Sequence, residues 1–138
     1  MGTASRPETQ DWVTLLGAVQ VIDHRMVLLE ELTRVGVGEV GYVVSLTHTD
    51  QHFPAIVDAI APQGKFGLID DPEPIDVRLL KRKSVSLHWE LMFTRSLFET
   101  EDMEQQGYIL NEVAAMVDKG LLRSTLGEHY GVINAANL

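Results

Sequence analysis

Apolar runs alternate with helical periodicities along most of the chain, and this alternation restricts the fold more than any other feature. Pro7 and Glu8 suit a first helical turn, with Trp12, Val13, Leu15 and Leu16 as its apolar face and Gly17 at its end. Residues 19–22 form a short apolar run that reads as a strand. Met26, Leu28, Leu29, Leu32 and Val35 recur at helical spacing, and Gly36 can cap that helix. Residues 40–46 read as a buried strand. Phe53, Ile56, Val57 and Ile60 mark the next helix, whose start is set between Asp50 and Phe53 because Pro54 breaks a helix interior. Pro62, Gln63 and Gly64 stop it, residues 65–70 read as a strand, and residues 71–74 as a loop. One or two helical turns over 77–81 and a strand over 84–89 follow. Thr100 can cap a long helix that uses Met103, Leu110, Val113, Ala114 and Val117 and closes at Gly120; residues 123–126 read as a last short strand. Strands alternating with helices in this way predict an α/β fold with a parallel sheet flanked by helices. Ligands of such sheets bind at the carboxyl ends of the strands.

Composition narrows the function. The 138 residues suit one domain, and 45% hydrophobic residues suit a globular chain. A formal net charge of −9 argues against general nucleic-acid binding. No apolar stretch reaches the roughly 20 residues that span a bilayer, and no signal peptide is visible, so neither a membrane nor a nucleic-acid partner is expected. The absence of cysteine removes disulfides and thiolate metal sites and fits a cytoplasmic location.

The stretch SLTHTD, residues 45–50, crowds hydroxyls, an imidazole and a carboxylate into the joint between a strand and a helix. It occupies the ligand face of a parallel sheet, although any strand-to-helix joint needs a polar turn. Three other motifs carry less. Gly36, Gly38 and Gly41 match G-x-G-x-x-G letter by letter, but a helix precedes and a strand follows, the reverse of what a pyrophosphate turn requires. His48 and His52 are spaced i, i+4, but Thr49 stands where H-E-x-x-H has glutamate and no third ligand is evident, so no zinc is expected. The basic cluster at residues 78–83 reads as a solvated connection.

The order of elements, together with TASRPET, VIDHR, SLTHTDQHF, APQGKFGLIDD, KRKSVSLHWE, MFTRS and INAANL, resembles the cofactor domain of medium-chain dehydrogenases/reductases. The subgroup it is most similar to is the zinc-type alcohol dehydrogenase-like, or quinone oxidoreductase-like, one. The resemblance covers nearly the whole chain and implies a truncated Rossmann-like domain over 1–138. By that resemblance the chain lacks the family's first strand, its glycine-rich turn and its GroES-like catalytic domain. The expectation is therefore a fragment, inactive alone, with exposed strand edges that favour a homo-oligomer. Residues 134–138 resemble the start of the family's final helix.

The same resemblance assigns roles. Ser5 and Arg6 fall where the family holds the adenosine ribose, and a serine–arginine pair suits a 2′-phosphate, favouring NADP over NAD. Leu46, Thr47 and Thr49 would flank the ribose and nicotinamide, with Ile69, Asp70 and Asp71 beside them at the next strand's end. His88, Trp89 and Phe93 would belong to a loop that approaches the nicotinamide; from the residues alone, His88 reads as an ordinary strand histidine. The implied reaction of the parent enzyme is hydride transfer from NADPH to a quinone, an enone or another carbonyl, without catalytic zinc. The alternative is a non-catalytic α/β domain that acts through self-association or a protein partner.

Overall fold

A computed structural model describes residues 1–135 of the chain. They divide into two compact units, residues 1–92 and the segment beginning at Phe93.

In the first unit every strand pairing is parallel. Strand β1 (Gly2–Thr3) leads into helix α1 (Pro7–Leu15) and strand β2 (Val21–Ile22), which pairs with β1. Helix α2 (Leu28–Arg34) follows, and Gly36 ends it at φ +76°, a left-handed conformation in which glycine meets no Cβ penalty. Strand β3 (Val40–Ser45), helix α3 (Thr49–Ala59), strand β4 (Ile60–Leu68), a 3₁₀ segment (Val77–Lys83) and strand β5 (Ser86–Trp89) complete the unit. The order β3-β4-β5 forms a three-stranded sheet. This is the expected α/β architecture of parallel sheets and helices, Rossmann-like in kind.

Apolar burial explains the layering. Phe53 and Ile56 of α3 pack with Ile60, Phe66 and Leu68 of β4 and with Leu80 of the 3₁₀ segment. Ile22, Leu32 and Ala59 form a second cluster that joins β2, α2 and α3. Lys83 ties the frame at one end: its Nζ lies 2.7 Å from Glu39 Oε1 and donates to the carbonyls of Asp58 and Ile60. The basic cluster thus contributes a structural anchor.

Several expectations are corrected. The α3 helix starts at Thr49, one residue before the expected range of Asp50 to Phe53, and holds Pro54 inside it. A proline at this mid-helix position removes one intrahelical hydrogen bond, while Thr49, Phe53, Ile56 and Ala59 still form the buried face. Residues 62–64 do not end the segment. They lie within β4, where Val40 pairs with Ile60 and Tyr42 pairs with Lys65. One residue of β3 therefore faces four of β4, a bulge in which Gln63 takes φ +62°. Gly64 is buried there: a Cβ on it would lie 2.8 Å from the Ala61 carbonyl oxygen and 3.0 Å from that of Gly41. The β3 strand is not buried on both faces, since Tyr42 and Val44 are 76% and 68% exposed.

The second unit holds a short helix α4 (Thr94–Leu97), which the sequence did not disclose, and helix α5 (Gln105–Asp118), which ends near Gly120 at φ +68°. Thr100 does not cap α5; its hydroxyl donates to Asp102, which also receives Arg95 Nε at 3.0 Å. Residues 123–126 form no strand, and the expected final helix lies partly outside the described residues.

Candidate functional site

Both sheets direct their carboxyl ends to polar turns. After β3, Leu46 and Thr47 are exposed, and His48 adopts φ 53° and ψ 36° to turn the chain into α3. Thr47 Oγ1 lies 2.8 Å from His48 Nδ1. After β4 come exposed Ile69, half-buried Asp70 and exposed Asp71. Ser45 pairs with Leu68 across the ladder, which brings the two turns side by side.

Thr49 and Asp70 join them. Thr49 is fully buried. Its backbone N–H donates to Asp70 Oδ2 at 3.0 Å, and its hydroxyl lies 2.5 Å from Asp70 Oδ1 and 2.7 Å from Ser45 Oγ. The Thr49 hydroxyl, then its N–H, hold the Asp70 carboxyl below its ordinary pKa. Asp70 thereby caps a helix from outside it, satisfying an orphan donor and placing negative charge at the positive end of the helix. Thr49 and Asp70 shape this turn through contacts with each other, while Leu46, Thr47, Ile69 and Asp71 face solvent.

A second cluster lies where β1 meets α1. Ser5 is half-buried and Arg6 exposed. Thr9 Oγ1 accepts from the Arg6 N–H at 3.3 Å and donates to the Arg6 carbonyl at 2.8 Å. Arg25, just beyond β2, donates through Nη2 to the Ser5 carbonyl at 2.8 Å. Its guanidinium is held by the Asp23 carboxylate, with Nη2 at 2.6 Å from Oδ2 and Nε at 3.0 Å from Oδ1. The Arg25 side chain, then its backbone N–H, hold the Asp23 pKa down to about 2. The Arg6 guanidinium makes no hydrogen bond or ion pair among the described residues.

His88 and Trp89 are the last two residues of β5, both exposed, as the plain strand reading of His88 has it. Phe93 opens the second unit as the residue before α4. Sequence reasoning gave no role to Arg25, for which the D-x-R spacing after a strand was the available signal, and it marked Ser45 only as a member of the 45–50 stretch, without its contact to Thr49.

Among the described residues, no three or more side chains of His, Asp or Glu gather closely enough to hold a metal ion. His52 instead meets His24, edge to face, with centroids 5.8 Å apart. No helix among those residues is long and apolar enough to cross a membrane.

Known proteins share this arrangement. A zinc-type alcohol dehydrogenase-like protein of Staphylococcus aureus is 28% identical over 137 residues, which are 99% of this chain and 41% of that protein. A crystal structure of a candidate zinc-dependent alcohol dehydrogenase from Rhizobium etli CFN 42 matches with TM-score 0.91 and 56% identity over 98% of this chain and 40% of that one. Escherichia coli quinone oxidoreductase in complex with NADPH matches in fold, with TM-score 0.74 and 19% identity over 91% of this chain and 39% of that one. The chain thus spans about 41% of the length of the curated relative it matches. The sequence profile of the zinc-binding dehydrogenases matches residues 16–137. That match covers all but the opening fifteen residues and the last one, and the parallel sheets and strand-end turns agree with it, so the chain belongs to the zinc-binding dehydrogenase family.

Proposed function

We propose that this chain is the cofactor-holding part of an NADPH-dependent oxidoreductase that passes hydride to a quinone, an enone or another carbonyl compound. The observation that carries the reading is the turn at Ser5 and Arg6. It joins a parallel strand to a helix and offers an unpartnered guanidinium beside a hydroxyl. An acidic residue at this position suits NAD, and a cation suits the 2′-phosphate of NADP. Arg6 is free to grip such a phosphate through paired hydrogen bonds, so the residues present fit the cofactor.

NADPH supplies a hydride from its nicotinamide ring, and the chemistry belongs to that group. The chain's own residues bind and orient. Ser5 and Arg6 hold the adenosine end. Leu46, Thr47, Ile69 and Asp71 border the ribose and nicotinamide from the ends of β3 and β4. Thr49 and Asp70 keep those two turns in register. His88 and Trp89, at the end of β5, approach the nicotinamide. No step calls for zinc.

The activity is that of a whole protein, expected to be a homo-oligomer. The 138-residue chain alone should oxidise NADPH poorly, because a glycine-rich pyrophosphate turn is needed as well. Steady-state NADPH oxidation with a panel of quinones and enones tests this: the whole protein should turn over and the chain alone should not. Turnover by the chain alone at about 1 s⁻¹ or more would show that it is no mere cofactor-holding part. A second reading, a non-catalytic domain acting through self-association, is motivated by exposed Tyr42 and Val44 on β3. It predicts association and no turnover even in the whole protein.

A further inference from the structure

Arg25 belongs to none of the residues that face the cofactor in the reading above. Its contacts nevertheless converge on the turn that carries Arg6. Three consecutive carbonyls of that turn are each engaged by a donor. Gln10 Nε2 donates to Ala4 at 3.1 Å, Arg25 Nη2 to Ser5 at 2.8 Å, and Thr9 Oγ1 with the Gln10 N–H to Arg6 at 2.8 and 2.9 Å. The first and third donors come from α1, the helix this turn opens. The second alone reaches across from the end of β2. A carbonyl oxygen turned toward a phosphate repels it, so engaging all three leaves the turn with cationic and donor groups for an anion.

Arg25 is well placed to keep its hold. Asp23 takes its Nε and Nη2 together and also accepts its backbone N–H at 2.9 Å. The Asp23 N–H is in turn received by Glu31 Oε2 at 3.0 Å, and Glu31 is paired with Arg34 at 2.7 Å. Both carboxylates have pKa values of about 2, each owing first to its arginine, so the series stays charged at neutral pH. The β1–β2 pairing continues past the strands through Ala4 N–H to the Ile22 carbonyl at 2.9 Å, which brings Arg25 and Ser5 together.

We propose that Arg25 is a positioning residue for the cofactor's 2′-phosphate: it holds the Ser5 carbonyl so that the turn presents the Arg6 guanidinium, and no main-chain oxygen, to the anion. This rests on the NADPH reading above and deepens it. The consequence is selective. Loss of Arg25 should weaken ligands that carry a 2′-phosphate and leave their counterparts alone.

The test is a double-mutant cycle in the whole enzyme, with adenosine 2′,5′-bisphosphate and AMP as probes and dissociation constants read by calorimetry. Arg25→Met should weaken the bisphosphate by about five- to tenfold, the size of one hydrogen bond, and leave AMP unchanged. In an Arg6→Ala background the same change should have almost no further effect, because its action passes through Arg6. Additive losses would mean that Arg25 grips the phosphate itself, and equal losses for both probes would mean a general disturbance of the fold; either overturns the proposal. A bisphosphate affinity that responds to Arg6→Ala but not to Arg25→Met also overturns it, with the NADPH reading intact. Indifference to Arg6→Ala removes that reading and this inference together.

Discussion

Replacing Gly64 by alanine tests the account of how β4 reaches the site. The added Cβ would lie 2.8 Å from the Ala61 carbonyl oxygen, 2.8 Å from Ile60 Cγ1 and 3.0 Å from the Gly41 carbonyl oxygen. Ordinary contacts begin near 3.4 Å, so each neighbour must retreat by several tenths of an ångström. The Ile60 side chain is itself fully buried and packed against Phe53 and Phe66. One oxygen belongs to the bulged segment of β4 itself and the other to β3, so relief requires the bulge to deform and β3 to move against β4. Overpacking a close-fitted site costs about 1–3 kcal/mol, and rigid neighbours on three sides place Gly64→Ala near the upper end. The thermal midpoint should fall by roughly 10 °C. Gly38→Ala is the control, since a Cβ there meets nothing within 4 Å and its φ is not positive. Circular dichroism melts of the two variants side by side decide the matter. Equal midpoints would refute the claim that Gly64 is the close-approach point of the bulge.

Two further outcomes are expected. Asp70 has a depressed folded-state pKa, so its contribution to stability is fully present above its ordinary value of 3.8 and is lost as pH falls through the lower folded value. Urea unfolding of wild type and Asp70→Asn should therefore differ at neutral pH and converge in acid; a gap that persists undiminished at the lowest pH would count against the Thr49–Asp70 clamp. Purified protein should contain far less than one zinc per chain by elemental analysis, and stoichiometric zinc that disappears in His48→Ala or His52→Ala would overturn this.

The order of elements was legible because burial imposes its period on the sequence. Leu32, Phe53, Ile56 and Phe66, apolar at the positions the pattern marks, are all buried. The bulge was not legible, because Pro62, Gln63 and Gly64 are the residues that usually end a segment. Here the pairing with β3 resumes beyond them, a contact that no local pattern records. The β3 strand departs in the other direction: its apolar run reads as buried, yet Tyr42 and Val44 face solvent in this chain. Thr100 carried the right chemistry for a cap, but Asp102 claims its hydroxyl.

The site divides in the same way. That residues 45–50 lie at a strand end followed from alternation alone. That Thr49 turns inward to Asp70 did not, since twenty-one positions separate the two and only the β3–β4 register brings them together. Ser5 and Arg6 were found through resemblance. The hold of Arg25 on Ser5 depends on the pairing of β1 with β2, strands of only two residues each.

The central claim is that the Ser5–Arg6 turn receives the 2′-phosphate of NADPH. Its most direct test is the affinity of the whole enzyme for NADPH and for NADH, with and without Arg6→Ala. A charged hydrogen-bonded contact contributes roughly 1.5–3 kcal/mol, which is about one to two decades in dissociation constant. Titration should show NADPH binding weakened by that margin and NADH binding nearly unchanged. NADPH affinity indifferent to Arg6→Ala, or equal small losses for both cofactors, would contradict the account and leave Arg6 as an exposed helix-entry residue.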